Sequence, residues 1–132
     1  MIDIKDAVST IDAYRKLANE VAHELNACDD EINECDKAFG DIRHCCELNY
    51  PLTRSQKSTI CKIMREFSRR RRAAKDKKYV LEPLFEYLTD GKAKLFETGK
   101  MANEMNRRYE FVTGERKYVP RVLSDIFEQG SK

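Results

Sequence analysis

From Ala18 the apolar residues run Ala18, Val21, Leu25, Cys28, Ile32, Cys35, Phe39, Ile42 and Cys46, in steps that alternate three and four without interruption. That spacing keeps every member on one side of an α-helix and is the seam of a coiled coil. Ile4, Val8, Ile11 and Tyr14 extend it upstream with one irregular step. Asp3 is a good N-cap, and Asn49-Tyr50-Pro51 is a breaker. The spacing therefore predicts a first helix over about 3–48, roughly 65–70 Å long at 1.5 Å per residue.

A second helix follows the break. Thr53-Arg54-Ser55-Gln56 fits a capping box. Its seam reads Ile60, Met64, Phe67, Arg71, Ala74, Lys78, Leu81, Phe85 and Leu88. Pro83 is expected to kink the helix, because proline lacks an N–H and crowds the preceding turn. Gly91 is a natural C′ residue, so this helix should cover about 54–90.

A short connection makes the two helices antiparallel neighbours. Nine layers then satisfy one register: 39 with 60, 35 with 64, 32 with 67, 28 with 71, 25 with 74, 21 with 78, 18 with 81, 14 with 85 and 11 with 88. In that register Arg71 and Lys78 sit at the seam, where a charge must snorkel, find a partner or set register.

Charge is distributed unevenly. Residues 1–50 carry 5 basic and 12 acidic side chains, 51–82 carry 11 and 3, and 83–132 carry 9 and 8, for a net charge of +2. The basic excess peaks in SRRRRAAKDKK, residues 68–78. The same register sets Arg69 and Arg70 beside Asp30 and Asp29, Ser68 beside Glu31, and Lys75 beside Glu24, with Glu20 near Lys77 and Lys78. The run can thus be an internal partner of the acidic first helix. Successive helical residues turn by about 100°, so at most two of four consecutive arginines face helix 1. Arg65, Arg69 and Arg72 are expected to form an outward stripe, and the run to divide its work by face.

The C-terminal third continues helical spacing through Leu95, Gly99, Ala102, Met105, Tyr109 and Val112, with Gly99 permitting close helix approach. The C-terminal helical region is expected over 93–128. Pro120 should open a short helix bearing Val122, Leu123, Ile126 and Phe127, and the last six or so residues should be loose. YEFVTGERKYV can alternatively form a small β-hairpin near 109–119 with Thr113-Gly114 in the turn. The whole is one all-α domain, 1–132. Such a hairpin cannot bury its stripes alone, so a homo-oligomer, a dimer or a multiple of dimers, is expected.

No run of about 18 apolar residues exists to span a membrane, and the N-terminus lacks a secretory pattern. The five cysteines are odd in number; Cys28, Cys35 and Cys61 fall on apolar stripes and read as reduced, packed thiols of a cytoplasmic protein. No phosphate loop, dinucleotide fingerprint or nucleophile elbow is present. His23 and His44 are the only histidines. His44-Cys45-Cys46 with Cys61 is poor metal geometry, since adjacent helical residues diverge. Neither a catalytic set, a metal nor a cofactor is called for.

Anion binding is the chemistry the residues do offer. Arg65, Arg69, Arg72, Arg107, Arg108, Lys117 and Arg121 can fork onto phosphates, with Asn103 near them on the third helix, and Tyr109, Phe111 and Tyr118 can stack on planar rings. The candidate ligand site is therefore Arg65, Arg69, Arg72, Asn103, Arg107, Arg108, Tyr109 and Arg121. The same residue types suit a protein interface.

KIMREFSRRRRAAKDKKYVLEPLFEYL and the tail RKYVPRVLSDIF resemble small helical-hairpin proteins of tailed bacteriophages, with a basic second helix and a Y-x-P-R-[VL]-L-x-[DE]-[IL]-F ending. The likeness is to the anti-Thoeris sponge proteins. It covers about 40 residues, the acidic first helix has no counterpart in it, and no pocket residue carries over. It implies a non-enzymatic anti-defence protein of the host-cell cytoplasm that oligomerises and sequesters a cyclic ADP-ribose-like signal without cleaving it. A protein–protein effector binding a host or defence protein is the alternative, and a nucleic-acid-binding accessory protein the third.

Overall fold

A computed structural model describes residues 1–90, 95 and 97–129. The chain is all-α. Helix α1 spans Ile4–Glu47, α2 Arg54–Thr89, α3 Glu97–Thr113 and α4 Ser124–Gln129. α2 packs against both α1 and α3, so the basic helix is the central element.

The helix ends follow local chemistry. The Asp3 carboxylate accepts from the Lys5 and Asp6 amides at 2.8 and 3.4 Å. Thr53 and Gln56 form the reciprocal capping box, at 2.8 and 3.1 Å. Asn49 takes a left-handed φ of 52° in the turn, a conformation asparagine tolerates better than most side chains. The expectation for Gly91 lies outside the described residues, as does the start expected at 93. No strand occurs among the described residues; helix α3 runs through Thr113 where a hairpin was the alternative.

The antiparallel hairpin is as expected, but its register differs by about one turn. Leu84 packs with Val21 and Leu25, layers that the spacing assigned to Lys78 and Ala74, and Leu81, Leu88, Met101 and Met105 surround this cluster. The reason is the cost of charge in an apolar layer. Sliding α2 brings leucines to Val21 and Leu25 and frees Arg71 and Lys78 to pair at the flanks, with Asp36 and Asp29, each at 2.7 Å.

The seams change accordingly. Met64 and Phe85 are exposed, and Ile63 and Leu84 turn inward instead. Cys46 is exposed while Cys45 is half-buried, and Cys61 is exposed rather than packed. Ile11 and Tyr14 make no layer with α2: Ile4, Val8, Ile11 and Tyr14 are 72%, 54%, 60% and 49% exposed. On α3 the inward face is Met101, Met105, Arg108 and Val112, not the stripe through Leu95, Ala102 and Tyr109. A Cβ on Gly99 would meet nothing, so that glycine serves no close approach. Helix α4 begins at Ser124 rather than at Pro120, with Ile126 and Phe127 amides donating to the Leu123 carbonyl.

Cys28 and Cys35 are buried in the α1 seam, and desolvation pushes both thiols up from their ordinary values, so they pack as neutral groups.

Candidate functional site

Basic residues of α2 divide by face. Those turned toward α1 are all paired. Arg70 forks onto Glu31 at 2.5 and 3.1 Å and touches Glu34 at 3.3 Å. Arg71 meets Asp36, Lys77 meets Glu24 and Lys78 meets Asp29, all at 2.7 Å. Hydrogen bonds from Arg70 and Lys77 hold the Glu31 and Glu24 carboxyls below the ordinary carboxylate range. These partners differ from the expected Asp29 and Asp30 because the register has moved and because long side chains lean toward their own helix N-terminus. Glu31→Lys should lower the melting temperature, and Arg70→Glu should recover part of the loss. Additive losses in the double variant would refute the pairing.

The residues turned away from α1 carry no such partners. Arg65, Arg69 and Arg72 are exposed and have no ion pair among the described residues. The expected outward stripe is therefore present.

The other candidates do not join it. Arg108 faces α2, where its Nη1 donates to the Tyr79 carbonyl at 2.9 Å and lies 3.3 Å from Glu82. Its guanidinium also sits 4.5 Å from the centre of the Tyr79 ring, and its Nε donates to Glu104 at 3.0 Å. Residue 83 is proline and has no N–H, so the Tyr79 carbonyl lacks its helical donor. Arg108 supplies that donor from the neighbouring helix. Arg107 is held bidentately by Glu104 at 3.0 and 2.6 Å. Asn103 and Tyr109 are exposed on α3. Arg121 lines a separate shallow pocket of about 210 Å³ with Tyr118, Pro120 and Phe127.

A groove of about 700 Å³ lies where α1, α2 and the end of α3 meet. Its apolar lining is Ile32 and Val112, with an aromatic wall in which Tyr79 and Phe111 meet edge to face at 6.1 Å. Two cations of the lining are already neutralised, Lys78 by Asp29 and Arg116 by Asp76 at 2.9 Å; Arg108, outside the lining, pairs with Glu82. Arg116 also lies over Phe111 at 5.2 Å. Arg72 and Lys75 line the same groove without an ion-pair partner among the described residues.

Of the eight candidates only Arg72 lines the groove. Lys75 and Tyr79 follow it at helical spacing and were visible as its neighbours on α2. Phe111 and Arg116 reach the groove through the packing of α3 along α2, which spacing does not reveal. Groups of three or more metal-ligating side chains are absent among the described residues, and no helix there is long and apolar enough to cross a membrane. No family model, curated protein or solved structure matches this chain.

Proposed function

We propose that this chain is a non-catalytic binding protein whose groove captures a small, planar, nucleotide-derived anion, in the manner of the phage sponge proteins that its sequence resembles. One observation carries the reading: Arg72 and Lys75 stand unpaired beside the Tyr79–Phe111 wall. A ring can lie against the aromatic wall while phosphate oxygens take the two cations. The volume of about 700 Å³ suits a nucleotide-sized ligand.

Self-association belongs to the same reading. Ile4, Val8, Ile11 and Tyr14 form an apolar stripe on α1 that no described element covers, and a second copy would bury it. The alternative, a host or defence protein on that stripe, draws on the same exposed residues.

Native mass spectrometry with cyclic ADP-ribose and other nucleotide messengers tests both parts, because it counts chains and bound ligand together. Assemblies of two or more chains with nucleotide attached are expected. Arg72→Ala and Lys75→Ala should each weaken binding by roughly 10- to 150-fold, the worth of one charge-assisted hydrogen bond, with assembly unchanged. A monomer that ignores every nucleotide at millimolar concentration would overturn the reading.

A further inference from the structure

The outer face of α2 carries more than the predicted stripe of three arginines. Arg54, Lys57, Lys62, Arg65, Arg69, Arg72 and Lys75 are all exposed, and none has an ion-pair partner among the described residues. At about 100° per residue these seven occupy a sector of roughly 140°, centred opposite the side that packs on α1. Of the four acids on this helix, Glu66 lies to one flank, Asp76 is taken by Arg116 at 2.9 Å, and Glu82 and Glu86 lie beyond the end of the row. The row runs from 54 to 75, about 32 Å at 1.5 Å per residue. The net charge of +2 conceals it, because the cations that neutralise α1 are the other four: Arg70, Arg71, Lys77 and Lys78.

The geometry points to a second binding surface on this outer face, for the phosphate backbone of duplex nucleic acid. A straight row of cations matches a straight polyanion; 32 Å corresponds to roughly nine base-pair steps at 3.4 Å. The residues interleaved on this face are Ser58, Cys61 and Ser68, with no aromatic ring. Bases of a single strand would find nothing to stack on there. Asparagine and glutamine are likewise missing from the face, so base edges are not read and binding is independent of sequence. The surface does not rest on the groove reading: five of its seven cations, Arg54 through Arg69, lie outside the groove.

Fluorescence anisotropy with a labelled 20-base-pair DNA duplex of arbitrary sequence is the test. Binding is expected at 50 mM salt, equal for a scrambled duplex. If about four phosphates are neutralised, affinity should fall roughly 150-fold between 50 and 200 mM salt. The triple variant Lys62→Glu, Arg65→Glu, Arg69→Glu should lose binding while keeping helicity, chain number and nucleotide capture by the groove. The milder Lys62→Gln, Arg65→Gln pair should show weakened binding and a shallower salt slope, and it guards against a folding defect in the triple variant. Absence of binding at 50 mM salt, a flat salt dependence, or full binding by either variant would overturn the proposal. So would loss of assembly in the triple variant, since the row would then be holding an acidic protein surface.

Discussion

Arg108→Leu is expected to lower stability by about 2–4 kcal/mol, because it removes the charge-assisted hydrogen bond to the Tyr79 carbonyl, the partly exposed ion pairs with Glu82 and Glu104, and one cation–π interaction together. For a chain of this size the melting midpoint should drop by about 10 °C. The leucine keeps an apolar stem, so the effect isolates the guanidinium. Without it the Tyr79 carbonyl loses its side-chain donor, and Pro83 cannot supply the helical one. Helix α3 has 17 residues and little of its surface is covered. An isolated helix of that length is marginal in water, so undocking should also reduce far-UV helicity. The decisive measurement is a double-mutant cycle with Pro83→Ala. Alanine restores the N–H at position 83, so Arg108→Leu should cost clearly less in that background. Equal costs in both backgrounds would show that Arg108 does not serve the orphaned carbonyl.

The same junction predicts an acid response. Hydrogen bonds from Arg107 and Arg108 hold the Glu104 carboxyl down at about 2, below its ordinary 4.5. A depressed folded-state value means that the stabilisation is fully present above the ordinary value. It is lost as pH falls from about 4.5 toward 2. Both donors belong to α3 itself, one turn along, so the helicity of α3 should weaken over that window, and Glu104→Gln should remove that part of the response.

Leu25→Ala should cost about 2–5 kcal/mol, the range for a buried leucine cut back to alanine. Leu25 is 8% exposed and lies in the cluster with Val21 and Leu84, where Met101 and Met105 of α3 also pack. The buried apolar core is small: Val21, Leu25, Cys28, Cys35, Ala74 and Leu84 among the described residues. A loss of this size is a large share of a typical domain's 5–15 kcal/mol, so partial unfolding near body temperature is the expected outcome. Chemical denaturation of Leu25→Ala beside Val119→Ala measures it. Val119 is exposed and lies outside the α1 stripe, and its truncation should change chain stability by less than about 0.5 kcal/mol. A comparable loss in the two variants would contradict the assigned core.

The hairpin was legible in the sequence because helix periodicity and caps are local. The 3-4 spacing from Ala18 to Ile42, the Asp3 cap and the Thr53–Gln56 box each act within a turn or two, and α1 and α2 follow them. The outward stripe of Arg65, Arg69 and Arg72 was legible for the same reason, since helical angle alone sets it. Register was not. Two antiparallel seams of similar spacing can slide by a turn with little change in pattern. What decides between the alternatives is the cost of Arg71 and Lys78 in apolar layers against their pairing with Asp36 and Asp29. That comparison exists only once both helices are in place. The role of Arg108 was hidden more deeply still. Its carbonyl partner is left unpaired by a proline four residues farther along another helix, and only the docking of α3 brings donor and acceptor within 2.9 Å. The groove follows from that docking: Phe111 and Arg116 come to Tyr79 and Asp76 across more than thirty residues of chain. Helical angle placed the cations of α2; packing between helices decided which of them were left free to bind.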